Sequence, residues 1–194
     1  MSVASISVMA ALVRAVGKSR VDVSPEGLFA ASYDSARFSV LPQAVVRPNR
    51  PAHIARVLKL ANRHKIPVTV RGGGSAMTGA TVPVGGGWVI DLSSWKHLDI
   101  RVSESLAYAE PGVLLADLDA AAAKRGLFYP PDPSSKQHAT VGGSISTNAG
   151  GLHGAKYGVT RDYVVALEGF LPNGEFVRWG RPLCKYAVGY NMRD

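Results

Sequence analysis

Two glycine-rich segments restrict what this chain can fold into more than any other feature. The first runs from Arg71 to Gly79 and the second from Thr140 to Gly151. A backbone with so few side chains lets consecutive amide groups approach a phosphate or a flat ring system closely. The two segments therefore predict a binding surface for a large anionic cofactor.

Length and charge limit the class of protein. The chain has 194 residues, 46% of them hydrophobic, which suits one medium domain or two small lobes. The formal net charge of +8 is compatible with nucleic acid, an acidic partner or an anionic cofactor. Because no basic run is interleaved with aromatic residues, we expect no nucleic-acid role.

The N-terminal region and the cysteine content predict a cytoplasmic protein. The apolar stretch from Met1 to Val16 has its first basic residue, Arg14, near its end, which is the wrong charge order for a secretory signal. No apolar run reaches about twenty residues, so no membrane span is expected. The single cysteine, Cys184, excludes an internal disulfide framework, and we expect an unreactive thiol.

Hydrophobic periodicity predicts helices and strands in mixed order, which indicates an α+β fold. Residues 52–64 carry apolar side chains at helical spacing, and residues 113–125 form a second helix that ends at a glycine. Asn173-Gly174 favours a tight turn between strands at 163–171 and 175–179. Three further strands are predicted at residues 67–71, 88–92 and 106–110.

The first glycine segment does not match the common nucleotide-binding motifs. A Walker A loop needs a lysine directly after its last glycine, where this chain has Ala80. A Rossmann fingerprint needs glycine at the position of Met77. Two interpretations remain: an anion-binding nest of amides with Arg71 at its mouth, or a surface loop without a ligand.

The second glycine segment favours the binding interpretation. It alternates small hydroxyl residues with glycine, and Asn148 supplies an amide that can donate and accept at the polar edge of a ring. Pro131 and Pro133 hold the preceding turn rigid and leave Ser134 and Ser135 to present their hydroxyls. Two such segments are hard to explain by packing alone.

An ordered set of motifs carries a family resemblance. The motifs are Val46-Arg47-Pro48, the approach from Ile66 to Ser75, Glu110-Pro111-Gly112-Val113, Pro130 to Ser135, Thr140-Val141-Gly142-Gly143, Thr147 to Gly151, and Lys156 to Asp162. Together they resemble the FAD-binding PCMH-type domain of FAD-linked oxidases, the vanillyl-alcohol oxidase/p-cresol methylhydroxylase superfamily. Within it, the chain resembles most the branch that contains glycolate oxidase and D-lactate dehydrogenase.

The resemblance implies a domain organisation. Residues 1–43 form a helical lead-in, and residues 44–194 form the FAD-binding domain, built of two adjoining α/β lobes. In the family the motif matching Gly189-Tyr190 continues into a segment that closes over the flavin, and a C-terminal cap domain follows. Since the sequence ends at Asp194, we expect the FAD-binding domain to be incomplete at its C-terminus and the cap domain to be absent.

The resemblance also implies the contacts of a noncovalent FAD. In members with a covalent flavin a histidine follows the glycines, where this chain has Ser75 and Ala76. Backbone amides of the first segment face the pyrophosphate, the proline turn lies along the flavin, and the second segment follows the isoalloxazine and ribityl chain. The implied contact residues are Arg71, Gly72, Gly73, Gly74, Ser75, Met77, Thr78, Gly79, Pro131, Asp132, Ser135, Thr140, Val141, Gly142, Gly143, Ser146, Asn148, Ala149 and Gly150.

The implied reaction is oxidation of a 2-hydroxy acid, of the glycolate or D-lactate type, to the 2-oxo acid. Because the family binds substrate in the cap domain, the chain is expected to be a fragment or one subunit of a split enzyme, with a possible partner subunit. Two alternatives stay open: a flavin reductase that makes cell-wall precursors, marked by nicotinamide-dependent flavin reduction, and a non-catalytic remnant that fails to retain flavin.

The histidines give no catalytic or metal assignment. His138 and His153 flank the second segment, where either could act as a general base. We expect both to be polar loop residues without a catalytic role. His53, His64 and His97 lack ligand spacing, so no metal is predicted. The catalytic residues stay unassigned.

Overall fold

In the computed structural model, which describes residues 3–181, the chain divides into two units. The first unit comprises residues 3–94 and 170–176, and the second comprises residues 95–169 and 177–181. Cys184 and the Gly189-Tyr190 motif lie outside the described residues.

A four-stranded sheet forms the centre of the first unit. Its spatial order is β1-β2-β4-β3, with β2, β3 and β4 parallel and β1 antiparallel to β2. The strands are β1 (Val21–Asp22), β2 (Ala44–Val46), β3 (Val68–Arg71) and β4 (Trp88–Asp91). The central strands β2 and β4 are almost wholly apolar and buried, as expected for parallel strands covered on both faces.

Three helices belong to the same unit: α1 (Val3–Val16), α2 (Pro25–Ala30) and α3 (Pro51–His64). Leu12 of α1 and Val57 of α3 are fully buried in a core with Val46 and Trp88, while Val45 and Val89 pack in a second cluster with Ala31. This division follows from strand geometry, since successive side chains point to opposite faces of a sheet.

A charged group ties the edge of this sheet together. Arg47, just after β2, donates from Nη1 to Asp22 Oδ2 (2.9 Å) and from Nε to Asp91 Oδ2 (3.3 Å). Asp22 Oδ1 also accepts hydrogen bonds from the amide and hydroxyl of Ser24. The Ser24 hydrogen bonds and then Arg47 lower the pKa of Asp22 from 3.8 to about 2. Arg47 therefore holds the loops that follow β1, β2 and β4.

Replacing Asp22 with asparagine tests this charged group. Because the folded-state pKa lies below the ordinary value, the carboxylate stabilises the fold fully above pH 3.8 and loses that effect as the pH falls through about 2. The carboxylate is partly exposed, so we expect Asp22→Asn to lose about 1 kcal/mol of unfolding free energy at pH 7. Urea titrations of the parent and of Asp22→Asn at pH 7 and pH 2 measure this loss. If the difference in unfolding free energy is the same at pH 2 as at pH 7, the Asp22 carboxylate does not stabilise the fold in this way.

The second unit combines a strand pair with short helices. Strand β5 (Leu98–Arg101) pairs antiparallel with β6 (Leu106–Ala109). Its helices are α4 (Leu115–Ala123), α5 (Val141–Thr147) and α6 (Gly154–Tyr157), followed by a 3-10 turn at Thr160–Tyr163. Leu115 and Leu118 of α4 are buried, as are Ile100 and Val113.

A terminal hairpin joins β7 (Ala166–Phe170) to β8 (Phe176–Gly180). Gly174 adopts a φ of +79° in its turn, a conformation that glycine tolerates readily. The amide of Leu171 donates to Glu175 O (2.9 Å), which closes the turn. The predicted Asn173-Gly174 hairpin is confirmed, although its first strand is shorter than expected because residues 160–163 form the 3-10 turn.

Most predicted elements are confirmed, and the mixture of helices and strands is that of an α+β fold. The helix predicted at residues 52–64 is α3, which has proline at its first position and Lys65 in a left-handed conformation at its end. The second glycine segment differs from the prediction: the sequence gives no helix there, but residues 141–147 form helix α5. Strands β1, β2 and β5 were not predicted.

Candidate functional site

The first glycine segment leaves the sheet at the carboxyl end of β3. We call residues 71–82 the arginine loop. Ligands of parallel sheets bind beyond the carboxyl ends of the strands, and Arg71 is the last residue of β3. The loop therefore begins at the edge where an α/β sheet usually holds its ligand.

The guanidinium of Arg71 lies over this loop. Its Nη1 donates to the carbonyl of Tyr33 (2.6 Å) and approaches Thr81 Oγ1 (3.4 Å). Gly74 has a φ of +65°, and a Cβ added there would overlap the guanidinium. Glycine at this position thus gives both the backbone conformation and the room for the arginine. The arrangement combines a fixed cation with a glycine backbone, which is the donor set that a pyrophosphate requires.

The remaining predicted residues of the arginine loop differ in exposure. Gly72, Gly74 and Ser75 are half-buried and Gly73 is exposed beside them. Met77 is 82% exposed, and Thr78 is exposed next to it. Gly79, with a φ of +74°, packs against Phe38, whose ring would lie 2.6 Å from an added Cβ.

Residues 33–39 support the arginine loop, and sequence reasoning missed them. The amide of Ser35 donates to Ala76 O (2.9 Å), and the buried Asp34 accepts from the amide of Ala36 (2.7 Å) and from Thr81 Oγ1 (3.5 Å). The two segments are about forty residues apart in sequence, and no local pattern signals their contact.

The proline turn in the second unit is held by an ion pair. Asp132 Oδ1 lies 2.7 Å from Lys136 Nζ, and its Oδ2 lies 3.9 Å from His153 Nε2. The hydrogen bond from Lys136 lowers the pKa of Asp132, and the same bond raises the pKa of Lys136. Pro131 and Pro133 are buried. Asp132 therefore fixes the turn rather than presenting a free carboxylate.

Thr140 caps the N-terminus of helix α5, and this end of the helix packs tightly on the turn before α4. The Thr140 hydroxyl accepts the amide of Gly143 (3.3 Å), which is a helix N-cap. The amide of Gly142 donates to Pro111 O (2.9 Å), and a Cβ added at Gly142 would lie 2.6 Å from Pro111 Cβ. Val141 donates its amide to Val113 O (2.8 Å). These glycines are needed for close packing of the backbone as well as for any ligand.

The hydroxyl residues of α5 bond back to the helix itself. Ser144 donates to Val141 O, Ser146 to Gly142 O (2.8 Å) and Thr147 to Gly143 O. Ser146 is exposed, whereas Ser144 is buried. The hydroxyl of Tyr129 hydrogen-bonds with Thr160 and Ser144, and burial raises the pKa of Tyr129.

The segment after α5 is held by contacts to two other segments. Asn148 has a φ of +47°, and its Oδ1 accepts the amide of Arg161 (3.0 Å), which leaves its NH2 group to donate elsewhere. The carbonyl of Ala149 accepts the amide (3.1 Å) and the hydroxyl (2.7 Å) of Thr160. Gly150 is half-buried against Val159.

One further predicted contact residue, Ser135, lies in the turn before α5 together with His138. The carbonyl of Ser135 accepts the amides of His138 and Ala139, both at 2.8 Å. His138 and His153 are exposed, and His153 packs edge-on against Tyr157. The carboxylate near His153 is that of Asp132, at 3.9 Å, and it is already paired with Lys136.

Comparison with known proteins identifies the family to which this chain belongs. The family described as "FAD binding domain" matches residues 42–180. The chain belongs to this family, and FAD is its cofactor. The predicted resemblance to FAD-linked oxidases is therefore confirmed. Residues 3–181 contain no helix long and apolar enough to cross a membrane.

The most similar relatives include oxidoreductases of 2-hydroxy acids. The chain is 40% identical to "Glycolate oxidase subunit GlcD" of Bacillus subtilis over 93% of its own length and 39% of that protein's. It is 43% identical to "D-lactate dehydrogenase" of Anaerostipes hadrus over 84% of its length and 33% of that protein's. The chain thus spans about a third of the length of these curated relatives.

Solved structures agree on the fold. An alkyldihydroxyacetonephosphate synthase matches with a TM-score of 0.82 at 20% sequence identity, over 97% of this chain and 36% of that one. Phl p 4, a grass pollen allergen with glucose dehydrogenase activity, matches with a TM-score of 0.76 at 22% identity, over 88% of this chain and 37% of that one. At these identities the likeness concerns the fold.

Proposed function

We propose that this chain is the FAD-binding part of a flavin-dependent oxidoreductase that oxidises a 2-hydroxy acid to the 2-oxo acid. One observation carries the proposal. Arg71, at the carboxyl end of β3, donates to Tyr33 O, and this hydrogen bond holds its guanidinium over the glycines of the arginine loop. The names of its relatives, a glycolate oxidase subunit and a D-lactate dehydrogenase, support the substrate class.

In this proposal the chain's residues bind and orient the cofactor. Arg71 supplies a positive charge to the pyrophosphate of FAD, and the amides of Gly72 to Ser75 donate to its oxygens. The NH2 group of Asn148 donates to polar groups of the flavin part. The exposed hydroxyl of Ser146 donates its proton to Gly142 O, so its oxygen is left to accept from the flavin part. When bound, the flavin would supply the redox chemistry as the two-electron acceptor for oxidation of the hydroxy acid.

We further propose that FAD is held noncovalently, since Ser75 and Ala76 follow the glycines of the arginine loop. A partner subunit that completes a substrate site is part of the same proposal, since one relative is named as a subunit. The domain boundary between residues 43 and 44 and the cytoplasmic location remain predictions.

The visible absorbance spectrum of the purified chain tests the proposal. We expect a flavin spectrum, acquired during expression or after adding FAD, that moves completely into the supernatant on acid precipitation. Anaerobic addition of D-lactate or glycolate, with the partner subunit present, should then bleach the flavin. A chain that takes up no FAD would overturn the proposal, and flavin reduction by a nicotinamide would reassign the reaction.

A further inference from the structure

The positive charge of this chain is concentrated in its first third. Residues 1–65 contain ten Lys and Arg against three Asp and Glu, whereas residues 66–181 contain ten of each. The surplus is therefore a property of one stretch of the chain, and the rest of the described chain is balanced.

Eight of these cations lie on the end of α1, the 3-10 turn at Lys18–Arg20 and α3. Arg56, Lys59 and Arg63 share one side of α3 at helical spacing, and Arg50 and Lys65 flank its two ends. We use the name basic face for the eight residues together: Arg14, Lys18, Arg20, Arg50, Arg56, Lys59, Arg63 and Lys65. The two helices pack on each other through the buried Leu12 and Val57, and Arg56 Nη1 reaches Ala15 O of α1 (3.4 Å). Neither the turn nor either helix contains an acidic residue.

The basic face has no internal counter-charge. Within residues 3–181, none of its eight cations lies within 4.0 Å of a carboxylate oxygen, although Arg47 nearby pairs with two. Seven of the eight are exposed, and Arg20 is half-buried. Arg56 donates to Ala15 O and Arg50 Nε donates to His53 Nε2 (2.8 Å), but neither of these acceptors is a carboxylate, so the positive charges of the face stay without a paired negative charge.

This arrangement works against the stability of α3. Arg50 is at the N-cap, where the positive end of the helix dipole disfavours a cation, and the first turn has no acidic residue. Lys59 and Arg63 are like charges four residues apart, which also destabilises a helix. The same positive charges act on the buried His53, whose pKa is lowered first by burial and then by Arg50, Arg56 and Arg20. A charge pattern that costs stability suggests a role outside the fold.

The dimensions and chemistry of the face favour an acidic protein. Helix α3 has 14 residues and so is about 20 Å long, too long for one small anion. Among the described side chains, no exposed large apolar residue lies on α1, the turn or α3 to anchor a membrane, and no aromatic residue there offers a stacking platform to nucleic acid. Five of the eight cations are arginines, whose guanidinium pairs with carboxylates in two-pronged geometry.

We propose that the basic face docks the carboxylate-rich surface of a partner protein. This inference goes beyond the flavin function and does not depend on it, because the face is defined by α1, the turn and α3 alone. Its failure would leave FAD binding untouched, and loss of FAD binding would leave the surface charge unchanged.

Binding of labelled poly-L-glutamate to the purified chain tests the proposal. The test variant is Lys59→Gln/Arg63→Gln, which removes a repulsive pair from α3 and should fold at least as well as the parent. The matched control is Lys96→Gln/Lys124→Gln, which removes two exposed cations from the second unit. We expect the test variant to bind about tenfold more weakly and the control to bind within about twofold of the parent.

A charge-reversed variant, Lys59→Glu/Arg63→Glu, should abolish binding while the chain keeps its FAD spectrum and its circular dichroism. Equal weakening by the test and control variants would overturn the proposal, because the net charge alone would then explain binding. Tighter binding to phosphatidylglycerol vesicles or to a DNA duplex than to polyglutamate, with the same dependence on Lys59 and Arg63, would also overturn it.

Discussion

Gly151→Ala is expected to destabilise the chain by about 2–3 kcal/mol and to abolish stable flavin binding. A Cβ added at Gly151 would overlap the carbonyl of Asp132 and lie 2.6 Å from Pro133 N. Both obstacles are backbone atoms, and the proline turn cannot retreat because Pro131 and Pro133 are buried and Asp132 is paired with Lys136. The two segments proposed to hold the flavin must then separate.

A neighbouring glycine provides the control for this prediction. Gly154 has no atom within 4 Å of an added Cβ and is the first residue of α6, so Gly154→Ala should leave stability unchanged or raise it slightly. Urea unfolding and FAD titration of both variants give the comparison. Parental stability and FAD affinity in Gly151→Ala would show that residues 149–152 do not pack on the proline turn.

The parts of the fold that sequence could predict are those with local causes. Helix α3 was placed to within a residue because apolar spacing, Pro51 at its start and the proline after Lys65 all act within one stretch of chain. The hairpin turn was placed by Asn173-Gly174 alone, since few residues tolerate the positive φ that Gly174 adopts. Strands β1 and β2 have only two and three residues, too few for alternation to show.

The parts that sequence could not predict depend on contacts between distant segments. Residues 141–147 contain two glycines and several hydroxyl residues, which are poor helix formers, yet α5 forms because Thr140 caps it and Gly142 fits against Pro111. The glycines were interpreted as a ligand cradle, and the structure gives at least Gly142 and Gly151 a packing role as well. The hydrogen bonds from Arg71 to Tyr33 and Thr81 likewise could not be predicted, because no sequence pattern connects these residues.

Arg71→Gln is expected to weaken FAD binding by about 10- to 100-fold, because a charged hydrogen bond to a phosphate contributes roughly 1.5–3 kcal/mol. Glutamine keeps a polar side chain but cannot supply the charge, and it cannot match the reach of a guanidinium held by Tyr33 O. Arg71→Lys should recover part of the affinity, since lysine restores the charge without the planar fork. Arg63→Gln, which removes an exposed cation at the end of α3, should bind FAD like the parent.

Comparing three flavins shows which part of the cofactor Arg71 contacts. Arg71→Gln should lose the full amount of affinity for FAD, about 10- to 100-fold, and less for FMN. It should lose no affinity for riboflavin, because riboflavin has no phosphate for the guanidinium to bind. The difference in FAD affinity between the parent and Arg71→Gln should also shrink as salt rises, since ions screen a charge that is only half-buried. Equal weakening for all three flavins, at unchanged stability, would mean that Arg71 acts on the isoalloxazine end or only positions the loop. The pyrophosphate assignment would then move to the backbone amides of residues 72–75 alone.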